Sequence, residues 1–238
     1  MLEKLKKAIK IAAGVATFYA AIFAGKLAYK TYIYDYKGKS VIYALSSPRS
    51  GGTGFQVIAP SGEQYTITNR HICKGNDRLY YKDENGNSGV IEVIEISQTH
   101  DLCILEPIMS LPALKVASKL YMHEEVHLLG HPRLRPLTWE RGYYLGFTYI
   151  NLVTSCKEKS FHEKKQHQIT FAGLRFRYCT INISANMFNT NAYGGNSGSP
   201  ILDFKGDVIA VLYAGSPSQP DISYAVPLNV LQEFLRDY

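Results

Sequence analysis

From Ser40 to Pro227 the chain is a succession of short apolar segments divided by turn residues, with almost no helical periodicity. That pattern restricts the fold to an all-β barrel or sandwich. Gly54 to Ala59 reads as a strand, Pro60-Ser61-Gly62 as its turn and Gln64 to Thr68 as the returning strand. Further strands are expected at Leu79 to Lys82, Val90 to Ile96, Leu102 to Glu106, Glu125 to Leu129, Tyr143 to Asn151, Arg175 to Ile183, Val208 to Tyr213 and Ser223 to Val226. After Pro227, the apolar residues of Leu228 to Leu235 recur at helical spacing and predict a short helix packed across the last strands. With 238 residues, 46% of them hydrophobic, the chain has enough material for one large barrel domain or two half-barrels with a real core. No internal repeat is visible.

The first 36 residues differ from the rest and are expected to form a separate leader, with the barrel domain occupying 37–238. Lys4, Lys6, Lys7 and Lys10 precede an uncharged run from Ile11 to Gly25, and Lys26 and Lys30 restore charge. Fifteen helical residues span about 22 Å against about 30 Å of bilayer hydrocarbon, so the run alone is short. Snorkelling of Lys10 and Lys26 lengthens the usable helix to residues 8–28. The leader therefore reads first as an uncleaved membrane anchor. Secretion after signal-peptide cleavage is the alternative, although Phe23 and Lys26 spoil the obvious small-residue cleavage frames. A soluble helix is the third reading.

The net charge of +6 owes much to the leader lysines, leaving only a small cluster at Arg133, Arg135 and Arg141. Nucleic-acid binding, which needs a basic face interleaved with stacking aromatics, is disfavoured. Cys73, Cys103, Cys156 and Cys179 form no CxxC pair, and no metal or cofactor is called for. Cys73 and Cys103 sit in apolar strand-like contexts and are expected to be buried free thiols. Cys156 and Cys179 flank a polar insertion, residues 157–168, which reads as a solvated loop containing His162 and His167; spacing alone leaves their pairing open. His123, His127 and His131 read as packing or surface histidines, and Trp139 as barrel packing.

Three fragments carry chemistry. Thr66-Ile67-Thr68-Asn69-Arg70-His71 is a strand ending in a histidine, His100-Asp101-Leu102-Cys103-Ile104-Leu105 an aspartate opening an apolar strand, and Gly194-Gly195-Asn196-Ser197-Gly198-Ser199-Pro200 a serine in a glycine-rich turn. A serine hydroxyl needs a base to take its proton, and an imidazole base needs a partner that fixes its tautomer. A glycine turn lets the backbone N–H groups of Gly195 and Ser197 point at a developing oxyanion. Each signal alone is common; their order is not. An α/β-hydrolase needs its histidine after the nucleophile, and no histidine follows His167. The subtilisin order needs an aspartate before the histidine, and only Asp35 precedes His71.

In the order His71, Asp101, Ser197, the chain from Val41 to Leu235 resembles the trypsin-like, chymotrypsin-fold serine peptidases. The Gly52-Thr53-Gly54-Phe55 opening, the Gly206-Asp207-Val208-Ile209-Ala210 strand and the Ile222-Ser223-Tyr224-Ala225-Val226-Pro227 segment resemble the HtrA-like and viral branches more than digestive trypsins. No PDZ-like segment is seen after them. The resemblance implies two six-stranded antiparallel barrels, a short C-terminal helix and serine endopeptidase activity on a peptide or protein substrate, with Ser197 as nucleophile, His71 as base and Asp101 orienting it. It implies an oxyanion site at Gly195 and Ser197, a primary pocket floored by Asn191 and walled by Tyr213, Ala214 and Gly215, and no carboxylate at either position. Asn196 stands where digestive members carry aspartate, which argues against activation by N-terminal cleavage, and Ser199 stands where a glycine is usual. The other reading is an inactive peptide-binding module on the same fold.

Overall fold

The structure is a computed structural model and describes residues 2–47, 50–154, 156, 164–171, 174–216 and 218–238. It contains two compact units, Met1–Gly38 and Lys39–Tyr238. The first is built on helix α1 (Leu2–Thr31), with Phe18, Tyr19, Phe23 and Leu27 exposed. Among the described residues no helix is long and apolar enough to cross a membrane. The span expected at residues 8–28 is therefore unsupported: the uncharged run stops at Lys10 and Lys26, as its length in the sequence already indicated.

In the second unit, strands β1 (Val41–Ser47), β2 (Ser50–Ile58), β3 (Gln64–Thr68), β4 (Arg78–Asp83), β5 (Ser88–Ile96) and β6 (Cys103–Leu105) close into an antiparallel barrel in the order β1-β2-β3-β6-β5-β4. Ile42, Ala44, Leu79, Ile91, Cys103 and Leu105 of β1, β4, β5 and β6 meet in its core, so the alternation legible in the sequence fills one face of these strands. A short helix, α2 (Arg70–Cys73), follows β3 directly and carries His71.

The second sheet contains β7 (Glu125–Gly130), β8 (Thr138–Thr154), β9 (Lys164–Phe171), β10 (Leu174–Phe188), β11 (Pro200–Leu202), β12 (Val208–Gly215) and β13 (Ser223–Val226), in the order β13-β12-β11-β7-β8-β10-β9. The C-terminal part of β10 also pairs with β13, Asn186 opposite Ala225, which returns the sheet on itself. Val126, Leu128, Phe188, Ile201, Ile209 and Leu212 form the core of this half, with Leu228 of the closing helix α3 (Leu228–Phe234) packed into it. The expected pair of barrels and terminal helix are present, with β9 as a seventh strand appended to the second sheet.

That extra strand corrects the loop reading of the polar insertion. Residues 164–168 are strand, paired with β10 so that His167 lies opposite Tyr178; the rings stack at 5.0 Å and His167 Nε2 hydrogen-bonds Thr180 Oγ1 at 2.9 Å. Cross-strand pairing outweighs the low strand propensity of Lys and Gln here. His162 and the remainder of the insertion, 157–163, lie outside the described residues.

The link between the barrels is fixed by one buried amide. Gln56 Nε2 donates to the carbonyls of Ile108 and Leu111 (2.7 and 3.0 Å), while its Oε1 accepts from the Ile108 N–H at 2.8 Å. A fully satisfied buried amide fixes one path for a segment that forms little regular structure.

One pair of cysteines departs from expectation and the other resolves an open alternative. Cys73 and Cys103 are joined in a disulfide rather than free, and Cys156 pairs with Cys179. The strand register explains the first bridge: Thr68 of β3 lies opposite Cys103, and the helical turn of α2 carries Cys73 back toward it. The bridge closes a loop with a sequence separation of 30 and sits two residues beyond both His71 and Asp101. Replacing both cysteines by alanine is expected to cost about 3 to 4 kcal/mol, since loop closure then burdens folding instead of the denatured chain. Urea unfolding checks this; a double variant as stable as the parent would contradict it.

Candidate active site

His71 lies in the first turn after β3, and Asp101 in the loop that leads into β6. Because β3 and β6 are hydrogen-bonded neighbours, the two residues meet. The Asp101 carboxylate takes both N–H groups of the histidine: Nδ1 at 2.7 Å from Oδ2 and the backbone N–H at 2.9 Å from Oδ1. Asn69 adds a third tie, donating from Nδ2 to the Asp101 carbonyl at 2.9 Å. The carboxylate can only accept, so the proton sits on Nδ1 and the lone pair on Nε2 faces outward. The side chain of His71 is 49% exposed and that of Asp101 23%, so the ring is open to a substrate and its partner sheltered.

Burial opposes charge on the His71 ring, but the hydrogen bond and the charge of Asp101 outweigh it, and the pKa lies above the usual 6.5. This raised value stabilises the fold fully below pH 6.5, and the contribution fades as pH climbs through the folded-state pKa.

The turn bearing Ser197 is held by its carbonyls. The Asn196 N–H donates to Tyr193 O (2.9 Å), Ser199 N–H to Asn196 O (2.9 Å), and the N–H of Thr53, on β2 of the other barrel, to Ser197 O (2.8 Å). Gly195 and Gly198 have φ of +94° and +86°, and a Cβ on Gly198 would lie 2.0 Å from the Thr53 carbonyl, so only glycine fits there. The N–H groups of Gly195 and Ser197 make no hydrogen bond among the described residues. Ser197 Oγ donates to the Tyr213 carbonyl at 3.3 Å, not to His71. The structure thus joins His71 to Asp101 directly and sets Ser197 against β12.

A cavity of about 320 Å³ opens beside Ser197, lined by Ala192, Leu212, Ala214, Gly215 and Ser216 among others. Asn191 is not among its lining residues. Its N–H donates to Glu140 Oε1 at 2.9 Å, and its side-chain amide makes a second, short bond to the same oxygen. Neither Asn191 nor any of residues 213–215 carries a carboxylate itself, but Glu140 reaches Asn191 from β8, a neighbour that the sequence alone does not single out. Glu140 stands between Trp139 and Arg141 in an ordinary strand alternation, and nothing in the sequence marks it. Thr53 and Thr68 on strands and Asn69 at the cap of α2 also brace the site, and nothing in the sequence assigns them that part.

Of the three histidines read as packing or surface residues, His127 and His131 are buried and His123 is exposed. His127 is buried and accepts from Trp139 Nε1 at 3.1 Å, and among the described residues no group of three His, Cys, Asp or Glu side chains is placed to hold a metal. His131 is wholly buried, its ring stacked on Tyr43 with centroids 3.6 Å apart and Nδ1 3.1 Å from the Arg135 carbonyl. The Glu84 carboxylate stands further off, at 3.5 Å, and accepts the Leu137 N–H. Burial dominates, and the pKa of His131 falls from 6.5 to about 4. Between those values the unfolded chain takes up a proton that the folded one refuses, so stability drops as pH falls through this window. The loss over the whole window is roughly 3 kcal/mol. His131→Phe is expected to flatten the fall in stability between pH 6.5 and 4.5, measured by urea unfolding; an unchanged slope would contradict this reading of the ring.

A family model described as a trypsin-like peptidase domain matches residues 52–211. The chain is 27% identical over 199 residues to the serine protease HTR4 of Rattus norvegicus, covering 80% of this chain and 34% of the relative. It is 24% identical over 191 residues to the serine protease Do-like HtrA of Lactococcus lactis, covering 76% and 42%. The chain thus spans less than half the length of these relatives. Among solved structures, the active form of the Rv3671c protease from M. tuberculosis superposes with a TM-score of 0.61 at 19% identity, covering 84% of this chain and 81% of that one. The serine endoprotease from Yersinia pestis gives 0.63 at 14% identity, covering 88% and 66%. At these identities the structural likeness is one of fold; the family match over most of the chain goes further, and the chain belongs to the trypsin-like peptidase domain family.

Proposed function

We propose that the chain is a serine endopeptidase that hydrolyses peptide bonds through an acyl-enzyme on Ser197. The observation that carries this reading is the double grip of Asp101 on His71, which leaves Nε2 as a free acceptor, in a fold that also carries a serine in a glycine turn. In the proposed reaction a peptide lies along the β12 edge near Tyr213, Ala214 and Gly215. Ser197 Oγ leaves the Tyr213 carbonyl by rotation about χ1, gives its proton to His71 Nε2 and attacks the scissile carbonyl carbon. Hydrogen bonds between nucleophile and base are commonly loose before substrate binds. The free N–H groups of Gly195 and Ser197 receive the oxyanion, each such donor being worth about 3 kcal/mol. As the C–N bond breaks, His71 passes its proton to the departing amine; water then reverses the steps and frees Ser197.

The pose of Ser197 on Tyr213 O also fits a second reading, a peptide-binding module that does not turn over. Fluorophosphonate labelling separates the two. Wild type should label and Ser197→Ala should not; a folded wild type that resists the probe sinks the peptidase reading. The pH profile tests the roles further. Because Asp101 holds the His71 pKa above 6.5, kcat/KM should rise with pH past that value, as the base loses its proton. Asp101→Asn should cut kcat by about 10⁴-fold and move that limb to lower pH, since burial then acts unopposed. A limb that stays in place would remove Asp101 from this role.

Specificity follows from the cavity walls. Ala192, Leu212, Ala214, Gly215 and Ser216 bring no charge, and the Glu140 carboxylate is already engaged by Asn191. A buried charged side chain would meet no partner there, at high cost. An uncharged residue of medium size, such as Leu, Met, Val or Gln, is expected on the acyl side of the cut. Sequencing the products of a peptide library tests this, and mainly Lys, Arg, Asp or Glu at that position would refute it.

Two disulfides suit an oxidising compartment outside the cytosol. One relative carries the name probable periplasmic serine endoprotease DegP-like, from Hahella chejuensis. Membrane tethering through residues 8–28 is a reading of the leader's lysine-flanked apolar run alone, and the proposed chemistry uses no residue before β2.

A further inference from the structure

We propose that Thr53 is a positioning residue that locks the oxyanion turn across the two barrels; this rests on the peptidase reading above. Each peptide unit of the turn is fastened through its carbonyl. Gly194 O accepts from the Arg133 N–H, Asn196 O from the Ser199 N–H at 2.9 Å, and Ser197 O from the Thr53 N–H at 2.8 Å. The unit between Gly195 and Asn196 is the exception in kind, because its carbonyl is held by a side chain, Thr53 Oγ1, at 2.8 Å. This unit lies between the two that carry the proposed oxyanion donors, the N–H of Gly195 and the N–H of Ser197. It also follows a glycine with φ +94°, where the backbone is free to flip.

The direction of the Thr53 hydroxyl is dictated by its neighbours. The His131 N–H, which can only donate, points at Thr53 Oγ1 at 3.0 Å, so the hydroxyl proton is left for the Gly195 carbonyl, which can only accept. Thr53 is wholly buried, and its own carbonyl accepts from Thr68 Oγ1 at 2.7 Å, so the side chain cannot easily turn away. One residue of β2 thus grips the turn at two points, Ser197 O by its backbone and Gly195 O by its hydroxyl. A valine in its place keeps the shape and the first grip but loses the second.

The test is a series of Thr53→Val, Thr53→Ala and Thr53→Ser, assayed beside wild type. We expect Val and Ala to lower kcat by about 10- to 100-fold, less than deletion of an oxyanion donor itself, with KM within about twofold. Affinity for a peptide boronate, which forms the tetrahedral adduct, should fall by the same factor as kcat/KM, and Ser should restore both. A purely structural role would lower the melting temperature of Val and Ala and leave these ratios unmoved; that result overturns the proposal, as does a Ser variant no better than Val. Amide hydrogen exchange gives a readout free of activity: the Asn196 N–H, which belongs to the held unit and donates to Tyr193 O at 2.9 Å, should exchange faster in Val than in Ser, and equal rates overturn the lock. An inert wild type would instead sink the peptidase reading, and the exchange comparison would still decide the lock.

Discussion

The turn that carries Ser197 and strand β2 approach each other backbone to backbone, and the geometry of the site depends on that approach. His71 and Asp101 belong to the first barrel and Ser197 to the second, so a common frame is needed to hold the halves in register. Thr53 N–H meets Ser197 O at 2.8 Å, and the absence of a side chain at Gly198 lets the two chains lie this close. Ridge-and-groove packing of apolar side chains alone would tolerate small slips; a short hydrogen bond between two buried backbones tolerates far less. The Gln56 amide does comparable work on the segment between the barrels.

Electrostatics separate the histidines by their surroundings rather than by their depth alone. His71 is desolvated but has a carboxylate on its ring N–H, and its pKa goes up; His131 is desolvated with the Arg135 carbonyl nearest Nδ1 and the Glu84 carboxylate further off at 3.5 Å, and its pKa goes down to about 4. The first is thereby equipped to accept a proton and the second to stay neutral inside the frame. Their effects on stability oppose one another, since the former contributes below neutral pH and the latter is penalised there.

Much of this arrangement was legible in the sequence because it repeats with period two or sits at the end of a strand. The strands of both barrels, the closing helix and the His, Asp and Ser fragments announce themselves by apolar alternation and by glycine placement. What the sequence hid depends on tertiary neighbours. Cys73 and Cys103 look alike whether free or bridged until the β3–β6 register is known. The polar alternation of residues 164–168 resembles a loop until β10 supplies Tyr178 and Thr180 as partners. Glu140 carries no local signal, and the Gly52-Thr53-Gly54-Phe55 string does not show what the Thr53 hydroxyl holds; each matters through contacts made across many residues of chain, to Asn191 and to Gly195. The leader's composition reads as a membrane span, while its length in charge-free residues stands against that.

The proposed reaction stands or falls with a covalent intermediate on Ser197 formed with His71 as the base. Its most direct measurement is pre-steady-state hydrolysis of an activated peptide ester, followed by intact-protein and peptide mass spectrometry after acid quench. The account requires a burst of one leaving group per protein molecule, an acyl adduct confined to Ser197, and loss of that burst in His71→Ala. Turnover without an adduct, or an adduct on any other residue, would contradict it.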